Sequence, residues 1–447
     1  MNGPFLRIAP PPWLPLRHFA LAAAAFLVSA AGIAWGGGHL VGFGVDARFA
    51  LGLVHVLTLG WIAQTILGAW CQMMPTHGEV PLAFPRVAAA GWWLFVIGAA
   101  AYVGALWSGV ERYWMPALAA ASGVAIELFV LALTHARARK RDATWLHFVA
   151  ALVWLALLAA VGVLMAYDRE RGILFRDPEG GLIAHVHMAM IGFVATAVYG
   201  AGRRLIPWVA LSQIRARWEG RASFALTQLG LVGLASDSLF FGRHLMPLWA
   251  CLIAAGFLLY ALQLQPILTG GATLEPSLAF SLLSFAGGAL WAAIGLCLAF
   301  GRCADVAPAR GAYVWAALIG CVTPMILAQI HKIAPFLVWL HVYSPRQWTP
   351  PVAVPKIDDL TSRGLAWTEF FTLTAAVPLG TAGLWLERGE LVRAAGACLT
   401  ATAACYAWNL GDALRHVVRP ESRWTPPATA WRECIDDKLH DDARSRQ

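Results

Sequence analysis

Apolar residues occur along this chain in long runs, which short polar or proline-containing segments separate. Twelve of these runs reach or approach the roughly 20 residues that an α-helix needs to cross the hydrocarbon core of a bilayer. The pattern predicts an all-α, polytopic membrane protein with about twelve transmembrane helices. The runs lie at 17–36, 47–75, 86–108, 115–135, 145–166, 181–207, 222–241, 245–266, 276–300, 312–340, 366–386 and 394–414.

The composition supports this prediction, because 59% of the 447 residues are apolar and only 13% are charged. A soluble domain carries about 25% charged residues and could not hide so much apolar surface. The formal net charge of +8 raises the question of a nucleic-acid partner, but the basic residues lie at predicted helix ends and form no continuous stripe. We therefore expect the lipid bilayer as a partner and no nucleic acid.

The distribution of basic residues predicts that both termini lie in the cytoplasm. Loops rich in Lys and Arg stay on the cytoplasmic side of a membrane. Residues 1–16 lack the ordered regions of a secretory signal, so we expect a cytoplasmic segment there. A twelve-helix transmembrane domain over 17–416 and a cytoplasmic tail over 417–447 follow, in an inner (plasma) membrane. The basic residues that decide the orientation are Arg137, Arg139, Lys140 and Arg141, with Arg203, Arg204, Arg215, Arg217 and Arg221.

An internal repeat relates the second and sixth predicted helices. The segment VHVLTLGWIAQTILGAWCQMMP begins at Val54, and VHMAMIGFVATAVYGAGRRLIP begins at Val186. Seven of the 22 aligned positions are identical, including one histidine, two glycines and a closing proline. These are His55, Gly60, Gly68 and Pro75 in the first segment, and His187, Gly192, Gly200 and Pro207 in the second.

A third copy is expected about four helices later. The tenth predicted helix holds Gly320 and Pro335 at the separation that the other two segments show, with Trp315 in place of the histidine. The chain is therefore predicted to form three pseudo-symmetric four-helix units, the last of which has lost its histidine.

The repeated histidines suggest a haem site. At about 1.5 Å of rise per residue, His55 and His187 lie at a similar depth, and a histidine inside a membrane usually has a functional partner. Two neutral imidazoles on facing helices can ligate one haem iron, and Gly60 and Gly192 would leave room for the macrocycle. Glycine also lines ordinary helix contacts in membranes, which is the alternative interpretation. His185 points about 200° away from His187 and could serve a second haem, a metal or a helix-end hydrogen bond.

The segment HVHMAMIGFVATAVYG resembles the His-x-His helix of haem–copper oxidase catalytic subunits, especially the C-family oxidases and nitric oxide reductases. The resemblance implies a haem b that His55 and His187 would hold, together with a redox partner or other oxidase-type subunits. It does not extend to the copper centre, because the family's adjacent histidine pair is absent from the seventh helix, ASFALTQLGLVGLASDSLFF. We therefore expect no copper and no complete terminal oxidase. Relatives of the NnrS type, linked to nitric oxide stress, are the nearer analogy.

Three functions remain open from the sequence. The first is a b-type haem protein that transfers electrons or binds nitric oxide or oxygen, with Glu127 as a proton relay or as a neutral hydrogen-bonded group. The second is a proton- or ion-coupled secondary transporter that uses Glu127, Asp237 or Lys332. Transporters often break helices at midspan, whereas the repeated prolines here are expected to close helices, which favours the first. The third is a cofactor-free assembly subunit.

Overall fold

The computed structural model of the protein describes seven stretches of the chain, in which helices are the dominant element and no β-strand occurs. The basic residues Arg215 and Arg217, and most of the predicted tail over 417–447, lie outside these stretches. The described residues are 8–41, 47–110, 112–209, 218–268, 274–303, 306–345 and 354–420.

Ten helices in this part of the chain are long and apolar enough to cross a membrane, which confirms the prediction of a polytopic helical membrane protein. Because apolar side chains are unfavourable in water, such uniformly apolar helices are stable only in a bilayer or a protein core. In chain order they are α1 Trp13–Leu40, α2 Arg48–Gly78, α3 Pro85–Ser108, α4 Trp114–Ala136, α5 Ala143–Arg171, α6 Pro178–Pro207, α7 Trp218–Phe241, α8 Met246–Gln265, α9 Pro276–Ala299 and α10 Val306–Val342.

Two further helices, α11 (Arg363–Trp385) and α12 (Gly389–Val418), lie where the eleventh and twelfth crossings are predicted. Both are long enough to span a bilayer, but threonines and charged residues make their sequences more polar than those of the first ten. The count of twelve crossings therefore stays a prediction.

The helices α2, α6 and α10 are the most buried of the ten and lie at the centre of the bundle. Helix α10 contacts both of the others, and Trp70 on α2 packs against Phe193 on α6 with ring centroids 5.5 Å apart. Helices α1, α5 and α9 pack on α2, α6 and α10 respectively, while α3 pairs with α4, α7 with α8 and α11 with α12. Helix α12 packs against α1, so the outer helices enclose the inner three.

The prediction that the repeated prolines close their helices is wrong for all three, since the helix that contains Pro207 also continues, to Val209. Helix α2 continues past Pro75 to Gly78, and α10 continues past Pro335 to Val342. A proline removes one backbone N–H donor, but neighbouring helices and the remaining hydrogen bonds can hold a membrane helix together around it. Pro335 is buried in such a setting.

Asp142 connects three helices at the start of α5. Its carboxylate accepts hydrogen bonds from the backbone N–H of Trp145 at 3.1 Å and from His77 Nε2 at 3.0 Å, and it lies 3.7 Å from Arg204. Partial burial opposes ionisation of Asp142, but these neighbours outweigh it and hold the pKa of the carboxyl below its ordinary value. Asp142 therefore caps α5 and ties it to α2 and α6.

We expect Asp142→Ala to lower the free energy of unfolding by about 0.5–2 kcal/mol, the range for losing an N-terminal helix cap. Because the folded-state pKa is depressed, this contribution is present above the unfolded-state pKa and is lost as the pH falls through the folded-state pKa. Thermal unfolding in detergent at several pH values measures both effects. Asp412→Ala is the control, because Asp412 only pairs with Arg415 along one helix. If the difference in unfolding free energy between Asp142→Ala and the native protein did not decrease at acidic pH, the expected pH dependence would be wrong.

Candidate functional site

The helices α2, α6 and α10 each contain a π-helical segment at the same place in the repeat. The segments are Val56–Ile62, Met188–Ala195 and Ala316–Val322, so each begins one residue after His55, His187 or Trp315. Threonine hydroxyls support two of them, since Thr196 and Thr323 donate to carbonyl oxygens five residues earlier, at 2.9 and 2.8 Å. Segments of π-helix occur frequently at functional sites, and the sequence repeat alone does not reveal them.

His55 uses one ring nitrogen in a hydrogen bond and leaves the other without a partner among the described residues. Its Nδ1 is 2.8 Å from the carbonyl oxygen of Leu51, one turn earlier, and its ring meets Tyr102 of α3 edge-on with centroids 5.1 Å apart. In the described part of the chain Nε2 has no hydrogen-bond partner. A hydrogen bond from Nδ1 to a carbonyl fixes the neutral tautomer with a lone pair on Nε2, as in a histidine that ligates a metal.

His187 has the same local geometry but a different neighbour. Its Nδ1 is 2.7 Å from the carbonyl oxygen of Ile183, and its Nε2 is 2.8 Å from the hydroxyl of Tyr313 on α10. The tyrosine O–H therefore donates to the nitrogen that would ligate a metal. No ring contact or hydrogen bond joins His187 to His55 among the residues that the structure describes, so the predicted pairing stays a prediction.

His185 interacts electrostatically with His55. The two side chains lie within electrostatic range of each other, and His185 Nδ1 is buried without a hydrogen-bond partner among the described residues. The absence of a side chain at Gly162 on α5 leaves space beside it, because a Cβ there would lie 3.0 Å from His185 Cε1. The opposite orientation of His185 and His187 was predicted, but only the packing decides which of them faces α2.

The two glycines predicted to make room for a macrocycle serve helix packing instead. A Cβ at Gly60 would lie 2.6 Å from Ala25 Cβ on α1, and a Cβ at Gly192 would lie 2.7 Å from the Trp154 ring on α5. The space next to both glycines is therefore filled by a neighbouring helix. Small residues at such positions let membrane helices approach closely, which was the alternative interpretation.

Of the charged residues proposed for ion coupling, two are engaged in local interactions. Lys332 Nζ donates to Glu275 at 3.0 Å and to Asp358 at 3.1 Å. The carboxylate of Asp237 accepts from the backbone N–H of Leu245 at 2.8 Å. The two carboxylates balance the positive charge of Lys332, and Asp237 is hydrogen-bonded to the turn that follows it. None of these contacts requires a transported ion.

A buried network at the other end of α10 was missed by the sequence analysis. His331 Nε2 lies 2.8 Å from Glu369, and Asn409 Nδ2 donates to the second carboxylate oxygen at 3.0 Å. Glu369 is fully buried between α10, α11 and α12. A single carboxylate within the apolar run 366–386 was the available indication. All three side chains satisfy one another, which is typical of a structural network.

Imidazole nitrogens without a hydrogen-bond partner lie on both α2 and α6 in the described part of the chain. Among the described residues no group of three or more His, Cys, Asp or Glu side chains could hold an ion. A haem iron needs only two axial donors from the protein, and His55 Nε2 and the unpartnered nitrogen of His185 are of the correct type. A cavity of about 60 Å³ between α2, α6 and α10 has a mainly apolar lining without histidine and is not part of this site.

No protein-family model matches the sequence, and the curated proteins contain no significant match to it. The fold defines the class of protein: a multi-pass, all-helical membrane protein. The resemblance to haem–copper oxidase subunits rests on the histidine helix and stays a prediction.

Proposed function

We propose that the protein is an integral membrane b-type haem protein that transfers electrons or binds nitric oxide or oxygen, without a copper centre. The observation that carries the proposal is the environment of His55: its Nδ1 is held by the Leu51 carbonyl, its Nε2 has no hydrogen-bond partner among the described residues, and His185 lies within electrostatic range. When bound, haem would supply one-electron chemistry or a site for a diatomic gas.

The protein's own groups would orient the ligands. The carbonyl oxygens of Leu51 and Ile183 set the tautomers of His55 and His187, and Tyr313 holds His187 Nε2 in the structure. Two pairs of axial ligands are therefore possible. The repeat predicts His55 with His187, whereas the electrostatic interaction between His185 and His55 favours His55 with His185. The second requires no displacement of Tyr313.

We also propose twelve crossings in three four-helix units, with both termini in the cytoplasm and a redox partner or further subunits at the membrane surface. Supporting the units, α1–α4, α5–α8 and α9–α12 each pack their first helix on their second and pair their third with their fourth. The three π-helical segments at equivalent positions support the same division. The local interactions of Lys332 and Asp237 make ion-coupled transport the weaker alternative.

The haem proposal predicts a reduced-minus-oxidised absorption spectrum with a sharp b-type band in the detergent-purified protein, quantified as the pyridine haemochrome. We expect His55→Ala to abolish the band, because the free imidazole is lost. Comparison of His185→Ala with His187→Ala identifies the second ligand, since only the variant that removes it should lose the low-spin band.

His244→Ala serves as the matched control, because His244 lies exposed in the loop before α8 and should leave the spectrum unchanged. A native protein that is folded yet colourless after expression with ample haem would exclude the proposal. A full band in folded His55→Ala would exclude His55 as a ligand.

A further inference from the structure

A second group of polar side chains lies within the first four helices, away from the histidines of the proposed haem site. His18 on α1 is 1% exposed and Glu127 on α4 is 2% exposed. His18 Nε2 and a Glu127 carboxylate oxygen are 3.9 Å apart, which is too far for a hydrogen bond. The two side chains therefore face each other across a gap.

Six buried polar atoms on α1, α2 and α4 make no hydrogen bond to another described residue, although Gln64 on α2 lies beside His18. Within the described residues, both ring nitrogens of His18, both carboxylate oxygens of Glu127 and both side-chain polar atoms of Gln72 are buried without a hydrogen bond. Gln72 lies on α2 one turn beyond Gly68, where a Cβ would be 2.7 Å from His18 Cβ. Buried polar groups in proteins are almost always hydrogen-bonded, so six unpartnered atoms on three helices that pack together indicate occupants smaller than a side chain. Ordered water is the occupant that both donates and accepts.

The charged and titratable groups that face Glu127 come from two helices. Arg17 on α1 and Cys71 on α2 lie within electrostatic range of the carboxyl, in addition to His18. The Arg17 guanidinium is partly exposed and stacks on Trp92 of α3 at 4.4 Å. Arg17 thus lies between Glu127 and the end of the bundle at which α1 begins.

The equivalent position in the second repeat is differently arranged. A Cβ built at Gly200 would lie 2.7 Å from His147 Cβ, the same distance that separates a Cβ built at Gly68 from His18 Cβ. His147 Nδ1, however, is 2.6 Å from the carbonyl oxygen of Ala143. A histidine can therefore pack against the repeated glycine and still form a hydrogen bond through its ring. The unpartnered ring nitrogens of His18 are a special feature of the first repeat.

We propose that His18, Gln72 and Glu127 form a hydrated internal site that takes up and releases one proton at the Glu127 carboxyl. In uptake, hydronium from the aqueous phase passes a proton through the internal water to a carboxylate oxygen; an O–H bond forms there, water remains, and no electron moves. His18 and Gln72 hold the water by donating to it and accepting from it. This inference extends the single relay residue predicted from sequence and does not depend on haem.

Infrared difference spectroscopy of the purified full-length protein, recorded between acidic and alkaline pH, tests the proposal. We expect a carbonyl-stretch band of a protonated carboxyl that appears with acid, shifts in D₂O, disappears in Glu127→Gln and changes frequency in Glu127→Asp. His18→Gln and Gln72→Leu should displace the band, because both alter the water that contacts the carboxyl. The Asp variant keeps a carboxyl and so allows the test if the Gln variant does not fold.

His147→Gln and Glu369→Gln are the matched controls, since they change a histidine and a buried glutamate whose partners are already present. Neither should remove or displace the band assigned to Glu127. A Glu127 band insensitive to D₂O, or a pH-dependent band that persists unchanged in Glu127→Gln and Glu127→Asp, would overturn the proposal. Because haem-free protein should give the same result, failure here is distinguishable from failure of the haem proposal.

Discussion

Gly287→Val is expected to prevent the bundle from assembling. Gly287 on α9 packs directly against the backbone of Gly320 on α10, where a Cβ would overlap the Gly320 carbonyl oxygen and carbon. A backbone carbonyl within a helix cannot rotate away as a flexible side chain can, so the two helices would have to separate. Overpacking costs about 1–3 kcal/mol where neighbours can adjust and more where they cannot. With only about 5–15 kcal/mol of total stability in a typical protein, most of the molecules should fail to fold.

The yield of monodisperse protein after detergent extraction, followed by thermal unfolding of any folded fraction, measures this effect. Gly104→Val is the matched control, because Gly104 lies inside α3 and a Cβ there meets nothing within 4 Å. Equal yields and unfolding temperatures for the two variants would show that the close contact of α9 and α10 does not limit assembly.

Glu369→Ala is expected to cause the largest stability loss of any single carboxylate. His331 at 2.8 Å and Asn409 at 3.0 Å both lose their partner, and all three side chains are buried or nearly so. Each buried donor left without its acceptor costs about 1–3 kcal/mol, because it stays in a low-dielectric environment without compensation. Unfolding in a denaturing detergent, with a double-mutant cycle that includes His331→Ala, measures the loss and the coupling.

Glu390→Ala provides the comparison on α12. Glu390 pairs with Arg393 at 3.6 Å along the same helix and is exposed, so its removal should change stability by less than about 0.5 kcal/mol. If Glu369→Ala destabilised the protein no more than Glu390→Ala does, the buried network would contribute nothing to the fold.

The positions of the helices could be predicted because bilayer thickness imposes a length on every apolar run. All ten helices that are long and apolar enough to cross coincide with predicted runs. The hydroxyls of Thr372 on α11 and Thr402 on α12 hydrogen-bond to each other at 2.8 Å, and composition alone does not distinguish a crossing from a buried helix there. The repeat also predicted which helices are related, and the shared π-helical segments follow its register.

The ligand geometry could not be predicted, because a repeat aligns helices with each other but not with their neighbours. The orientation of α6 about its own axis places His187 against Tyr313 and places His185 within electrostatic range of His55. In the same way, Ala25 of α1 occupies the space next to Gly60, and the sequence around Gly60 does not reveal that contact.

The sequence by itself determined the class of protein and the positions of the helices, because hydrophobicity and the length of an apolar run are local quantities. Only the tertiary structure decided which polar atoms are satisfied: Glu369 has two partners, whereas Glu127 and His18 face each other without a hydrogen bond. The physical reason is that hydrogen bonding inside a membrane protein depends on which faces of distant helices meet, and packing sets those faces.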